Sequence, residues 1–190
     1  LEDQVNPKRC GHLDGKEVVP VDLMLRRITA AVNERRDDQF VICARTDAAG
    51  VEGIDSAIER AKAYADAGAD LIFAEALHTP ADFEKFRAAV DVPLLANMTE
   101  FGKSDLLSAG QLEELGFNAV IYPVTTLRIA MGQVEEALSE IAATGTQSGW
   151  VDRMQHRSRL YELLRYNEYN AFDQQVFTYS ADNYQPTFTR

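Results

Sequence analysis

The sequence predicts an α/β fold built on parallel strands, and three observations carry that expectation. Short, continuous apolar runs rich in β-branched residues recur along the middle of the chain. Each is followed by a segment whose apolar residues return at helical spacing, and each ends in a polar residue. Strands that are apolar throughout are covered on both faces, which is the habit of parallel sheets with helical crossovers. The carboxyl edge of such a sheet carries the chemistry in a (β/α)8 barrel and in a doubly wound sheet alike, so the pattern locates a site without choosing between them.

The first run is Phe40–Ala44, ending in Arg45-Thr46-Asp47. A helix is predicted from Ile54 to Ala67, with Ile58, Ala61, Tyr64 and Ala65 on one face and Gly68 as its stop. The second run, Leu71–Ala74, ends in Glu75. Its helix opens on Thr79-Pro80-Ala81-Asp82: a capping Thr, a Pro at the first helical position and an acid in the first turn. Phe83, Phe86 and Val90 continue it. The third run is Val92–Ala96, ending in Asn97, and a loop and short helix lead through Gly116 to the fourth, Ala119–Pro123. A helix from Thr126 to Ala142 then places Leu127, Ala130, Met131, Val134, Leu138 and Ile141 in the spacing of a buried stripe. Two regions follow from this pattern: an α/β portion over 1–146, and an arm over 147–190 that reads as helix from Val151 to Tyr169 and then as an aromatic polar tail. Tyr161, Leu164, Tyr166 and Tyr169 suit an arm packed on a neighbouring subunit.

Composition narrows the function. The 190 residues are 46% hydrophobic, enough for one sizeable core, and no stretch approaches the roughly 18 apolar residues of a membrane span. A net charge of −11 with no basic stripe argues against nucleic acid, whereas a few arginines in a cleft could still hold an anionic small molecule. Two cysteines, Cys10 and Cys43, far apart, are no disulfide framework and fit a reducing cytosol. Leu1-Glu2-Asp3-Gln4 is too acidic and polar for a signal peptide. The chain has no phosphate-binding Gly-rich loop, and Asn97-Met98-Thr99 matches a glycosylation sequon that has no consequence without secretion.

The segment with most chemical content is Lys8-Arg9-Cys10-Gly11-His12, in a loop punctuated by Pro7, Gly11, Gly15 and Pro20. Two cations before a thiol and a His after it make the thiol a competent acid or nucleophile, and Gly11 allows close approach of backbone to a ligand. The bland alternative is a surface loop with an incidental thiol. Cys43, inside a strand run, reads as packing. Glu2, Arg45, Glu75 and Asn97 stand at strand ends; each alone is as readily a cap or a surface ion pair, but four at equivalent places on successive units form a candidate site. By spacing alone Arg128 and Arg157 are ambiguous, and His78 and His156 read as surface residues.

At Lys8–His12 the chain resembles the isocitrate lyase/phosphoenolpyruvate mutase superfamily, whose lyases carry a K-[KR]-C-G-H loop. The resemblance runs on through Ile42–Ala48, Phe73–Ala76, Leu95–Gly102 and Ile121–Pro123. The Arg of the loop and Asn97-Met98-Thr99-Glu100-Phe101-Gly102 are similar to the methylisocitrate lyase branch; the isocitrate lyase alternative more often has K-K-C-G-H and a different second stretch. The resemblance implies a (β/α)8 barrel, here roughly its C-terminal half plus the helical arm, in a cytoplasmic homotetramer with exchanged C-terminal helices. It implies Mg²⁺, or Mn²⁺, and a retro-Claisen cleavage of a small tricarboxylate, 2-methylisocitrate, giving pyruvate and succinate. Isocitrate as substrate and a non-catalytic oligomeric scaffold are the rivals.

Carried over residue by residue, the resemblance makes Cys10 the general acid, with Gly11 beside it on the substrate and His12 supporting the loop. Arg45, Arg128 and Arg157 bind carboxylates; Glu75, Asn97, Met98 and Thr99 orient the ligand; Glu2 lies near the metal through water. A full barrel takes roughly 250 residues, so the chain is expected to be a portion of a longer one that holds Mg²⁺ poorly alone. The Val5–Pro20 loop, with little apolar anchorage, is expected to be disordered or displaced without ligand, leaving Cys10 far from Arg45, Glu75 and Asn97.

Overall fold

The computed structural model describes residues 1–178, which fall into two compact units, one spanning Leu1–Ile129 and one beginning at Ala130. In the first unit the chain passes through α1 (Val21–Glu34), β1 (Cys43–Thr46), α2 (Ile54–Asp66), β2 (Leu71–Ala74), α3 (Pro80–Ala89), β3 (Leu94–Asn97), α4 (Ala109–Glu114) and β4 (Ala119–Ile121). All strand pairs are parallel and the order is β1-β2-β3-β4, so sequence neighbours are sheet neighbours, as in successive βα units of a barrel wall. The ladder is extended on the β1 side by Glu2, which bridges Arg45 in the parallel sense.

The register puts Arg45 opposite Phe73, Phe73 opposite Leu95 and Asn97 opposite Ile121. Glu75 carries the ladder one residue past β2, its N–H donating to the Thr46 carbonyl at 3.0 Å. Glu2, Arg45, Glu75 and Asn97 therefore share one sheet edge, the carboxyl edge.

Helix α2 packs on β1 and β2 between α1 and α3. The core joins Met24, Ile28, Ala44, Ala57, Ala61, Tyr64, Ile72, Phe83, Phe86, Leu94, Ala96, Met98 and Leu112. The small residues among them let helix and strand backbones approach, and each large side chain buried contributes about 1.5–3 kcal/mol. Helix α3 starts as its sequence predicts, with Thr79 and Asp82 forming a reciprocal capping box and Pro80 in the first turn, and Phe83 and Phe117 rings meet at 5.2 Å. Gly68 and Gly116, at φ +102° and +83°, end α2 and α4 in the left-handed region that a side chain resists.

The structure corrects the sequence reading in four places. The first strand begins at Cys43, with Phe40 and Val41 exposed before it. The third begins at Leu94, where pairing to β2 starts. The stripe expected to be buried belongs to α5 (Thr125–Thr144), which has no buried residue: Leu127, Met131, Val134, Leu138 and Ile141 are exposed. Periodicity shows that a helix has an apolar face but not that anything covers it. Lastly, the single helix expected over Val151–Tyr169 is broken. A 3₁₀ turn at Ser148–Arg153 precedes α6 (Arg157–Leu163) and α7 (Tyr166–Phe177), parted at Arg165, which takes φ +52°. Phe172–Phe177, expected in the aperiodic tail, is helical; 179–190 lie outside the described residues.

In the second unit Trp150 is buried, its indole N–H donating to Glu140 at 2.7 Å with Arg153 stacked 3.9 Å above its ring. Among its described residues the other large apolar side chains, Leu163, Leu164 and Tyr169 included, are exposed.

Candidate active site

The site is built at the carboxyl edge of β1–β3 from residues that each strand end delivers. Arg45 is surrounded by carboxylates. Its Nε and Nη2 donate to Asp47 at 2.8 and 3.1 Å, and it approaches Glu2 at 3.5 Å and Glu75 at 3.7 Å. Its guanidinium lies 4.9 Å from the centre of the Phe73 ring, the residue beside it in register. Burial works against the charge, but Asp47 and Glu75 outweigh it and hold Arg45 above its ordinary pKa. Burial likewise pushes the Asp47 carboxyl up, and hydrogen bonding from Arg45, with Lys16 nearby, brings it below the usual carboxylate range.

Glu75 is 1% exposed. Asn97 Nδ2 lies 3.3 and 3.2 Å from its two oxygens. The turn after it is strained, with Ala76 at φ +57°, as is common where a side chain must be aimed.

The Cys10 loop is seated on this edge. A methyl group added at Gly11 would fall 2.2–2.5 Å from the Glu75 carboxyl group, so glycine is what allows the backbone to lie there. His12 follows with Nε2 3.2 Å from Glu75 Oε1, while its Nδ1 accepts the Lys103 N–H at 3.0 Å. An acceptor at Nδ1 assigns the neutral tautomer with its proton on Nε2. The Nε2–Glu75 approach is close enough for electrostatic pairing, but its direction is off for a hydrogen bond, and Nε2 is buried without one. Burial leads in lowering the His12 pKa, with Lys16 and Arg45 adding to it against Glu75. Asn97 Oδ1 is also buried without a partner, leaving an acceptor beside Glu75.

The loop expected to be displaced is thus in place. The expectation rested on the loop's scant apolar anchorage and missed its polar anchors. Gln4, 3% exposed, pairs its side-chain amide with both backbone groups of Arg9, at 2.9 Å each. Leu13 N–H donates to the Cys10 carbonyl at 3.0 Å, and Lys16 Nζ donates to the Gly11 carbonyl. Cys10 itself is exposed between these fixed neighbours.

The other candidates divide. Thr99 is buried near the edge and Met98 packs into the core, its sulfur accepting Leu107 N–H, so the Met98 side chain is turned away from the edge. Arg128, exposed at the start of α5, bonds the Glu100 carbonyl at 2.6 Å and stacks 5.2 Å from Phe101. Arg157 is exposed in the second unit at the first turn of α6. His78 and His156 are exposed, and His156 caps α6. Cys43 is half-buried at the head of β1, with its thiol pKa pushed up by burial. Residues that the sequence reading passed over are Gln4, Asp47 and Asp3. Asp3 is fully buried and accepts Thr46 Oγ1 at 2.7 Å, Tyr64 Oη at 2.8 Å and Asp47 N–H at 2.9 Å. Their one sequence signal was adjacency to Glu2 and Arg45.

A divalent cation finds no ready ligand set here. Among the described residues no group of three or more His, Cys, Asp or Glu side chains is placed to hold a metal. The carboxylate of Glu2 is taken by Lys8 at 2.9 Å and Arg45 at 3.5 Å. These residues alone do not fit Mg²⁺.

Comparisons place this geometry. A "Probable 2-methylisocitrate lyase 2" of Corynebacterium glutamicum is 84% identical over 188 residues, covering 99% of this chain and 61% of the relative. A 2-methylisocitrate lyase of Aeropyrum pernix is 47% identical over 93% of this chain and 56% of its own length. The chain therefore spans about three-fifths of these relatives. Among solved structures, an oxaloacetate acetylhydrolase bound to 3,3-difluorooxalacetate superposes with a TM-score of 0.85 at 35% identity, over 95% of this chain and 61% of that one. A 2,3-dimethylmalate lyase, described as a PEP mutase/isocitrate lyase superfamily member, gives 0.83 at 31%, over 99% and 62%. The model of the family described as phosphoenolpyruvate phosphomutase matches residues 1–142, and with the Cys-Gly-His loop seated on a parallel-sheet edge, the chain belongs to that family.

Proposed function

We propose that the full-length protein is a carbon–carbon lyase that cleaves 2-methylisocitrate to pyruvate and succinate. The observation that carries the reading is the seated loop: Gly11 and His12 lie against Glu75, on the edge that also holds Arg45 and Asn97. The names of the close relatives favour this substrate over isocitrate and over a scaffold without activity.

In this reading Arg45, with Arg128, takes substrate carboxylates, for which the guanidinium fork is suited. Glu75, Asn97 and Thr99 orient the ligand, and the open Oδ1 of Asn97 suits a substrate hydroxyl. Once a general base has taken that hydroxyl proton, the alkoxide closes to the carbonyl, the adjacent carbon–carbon bond breaks and the 2-oxo acid is released. The succinate fragment keeps the electron pair, and the Cys10 thiol gives it a proton. Gly11, lying on Glu75, and His12, held neutral, keep that thiol on the open side of the site. A loop shielding the fragment from water matters, because a solvated carbanion would take its proton from bulk. Mg²⁺ or Mn²⁺, with Glu2 near it, belongs to the reading as a requirement of the full-length enzyme. So do a cytoplasmic location and a homo-oligomer covering the apolar residues of the arm.

The experiment uses full-length protein and follows pyruvate from 2-methylisocitrate and glyoxylate from isocitrate, with and without a chelator. Cys10→Ser is expected to lower kcat by about 10²–10⁴ while substrate still binds, the usual range for a positioned proton donor. Cys43→Ser is the control. Turnover of the Cys10 variant within a factor of a few of wild type removes Cys10 from the mechanism, and preference for isocitrate replaces the substrate.

A further inference from the structure

We propose that Lys16 is a positioning residue that holds the Cys10 loop in its seated conformation, by joining the Asp47 carboxylate to the backbone carbonyl of Gly11. The proposal deepens the lyase reading by naming what sets the loop, but its geometry stands apart from any substrate.

Lysine is rarely buried, because its ammonium loses water that only close acceptors replace. Lys16 is 9% exposed, and its side chain 3%. Its Nζ donates to the Gly11 carbonyl and lies 3.5 Å from Asp47 Oδ1. The side chain reaches this point over Gly50, where an added methyl would come within 3.1 Å of Nζ. A lysine serving only surface solubility would be extended into water; this one is folded inward onto one loop carbonyl and one strand-end carboxylate.

Both ends of the bridge are fixed elsewhere. Asp47 is immobile: Arg45 holds its carboxylate and Asp3 its N–H. Asp3 in turn is anchored by Thr46 and Tyr64 in the core. At the other end, Gly11 has Glu75 against its Cα and Lys16 on its carbonyl, so one residue is gripped from two sides. Gln4 does the same for Arg9. The residue between them is Cys10. The ammonium thus transmits the position of a strand end to the peptide next to the thiol. The charge is also part of the device: without it, Asp47 keeps, among the described residues, Arg45 as its one cation within 4 Å, while the Gly11 carbonyl loses the Lys16 donor.

Lys16→Met in the full-length protein tests this. Backbone amide exchange over residues 5–16 is measured without substrate, beside exchange in β1–β4 and thermal stability. The expected result is exchange at least about tenfold faster in the loop with the strands unchanged, and a fall in kcat of about 10²-fold with a smaller change in KM, the scale for a catalytic group misplaced by about an ångström. Lys16→Gln, which retains a donor but not the charge, is expected to fall between. It serves as the test if the Met variant does not fold. Wild-type loop exchange in whichever variant folds overturns the proposal, whatever happens to turnover. Faster loop exchange in a protein with no lyase activity in its wild-type form leaves Lys16 as the holder of the loop and removes only the chemistry.

Discussion

Gly11→Ala puts the seated loop to its hardest test. The new methyl would lie 2.2 Å from Glu75 Oε1, 2.3 Å from its Cγ and 2.5 Å from its Cδ, against ordinary contact at 3.4–4 Å. Something must move by more than an ångström. Glu75 is poorly placed to do so, being 1% exposed, bonded by Asn97 and flanked by Arg45 and the His12 ring. Accepting the methyl in place is an overpacking problem of about 1–3 kcal/mol. The loop can escape it by lifting, since Cys10, Leu13, Asp14 and Gly15 are exposed, at the cost of the anchors that Gln4 and Lys16 provide. The expected result is therefore asymmetric. Stability falls by no more than the seating energy of the loop, a few degrees in Tm. kcat/KM falls by about 10²-fold or more, because an ångström of misplacement in a reacting group is worth that much. The assay is pyruvate release by the full-length variant beside a melting curve. Activity within threefold of wild type would show that catalysis does not need Gly11 on Glu75, and the loop geometry would carry no mechanism.

Two other outcomes follow from the same edge. Arg45→Lys keeps the charge but cannot make the paired Nε and Nη2 bonds to Asp47, so kcat/KM should fall at least about tenfold; a variant within a factor of two would reduce Arg45 to a general electrostatic contributor. The His12 imidazole is held below its ordinary 6.5, first by burial, and its Nδ1 must stay unprotonated to accept Lys103 N–H. With the folded value depressed, the contribution of His12 to loop seating is complete above about pH 6.5 and is lost as pH falls through the folded value. Trypsin cleavage after Lys8 and Arg9 should accordingly quicken from pH 7.5 to 5.5 once corrected for protease activity, and less so in His12→Asn. A loop that tightens in acid would mean that the imidazolium–Glu75 pair wins instead.

Elements whose causes are local could be read before any fold was known. Helix α3 was legible from Thr79, Pro80 and Asp82 because a capping box closes within four residues. Helix α2 and its stop were legible because Gly68 meets a left-handed requirement that any helix end can impose. The parallel sheet, the carboxyl-edge placement of Arg45, Glu75 and Asn97, and the chemical promise of Cys10 came from period, strand-end polarity and motif. Strand starts at Cys43 and Leu94 were misjudged because the apolar runs extend past the first paired residues: Phe40 and Val41 are exposed, and Val92 and Pro93 precede the first pair, Ile72 with Leu94. Tertiary structure alone decided how the loop sits. Gln4, Lys16 and Asp3 act through partners up to 61 residues away and have no period or spacing to betray them. A hydrogen bond from a buried amide or ammonium depends on where two distant backbones meet. The apolar stripe of α5 shows the converse limit: spacing marks which side of a helix prefers to leave water, while only a neighbouring surface can take it out.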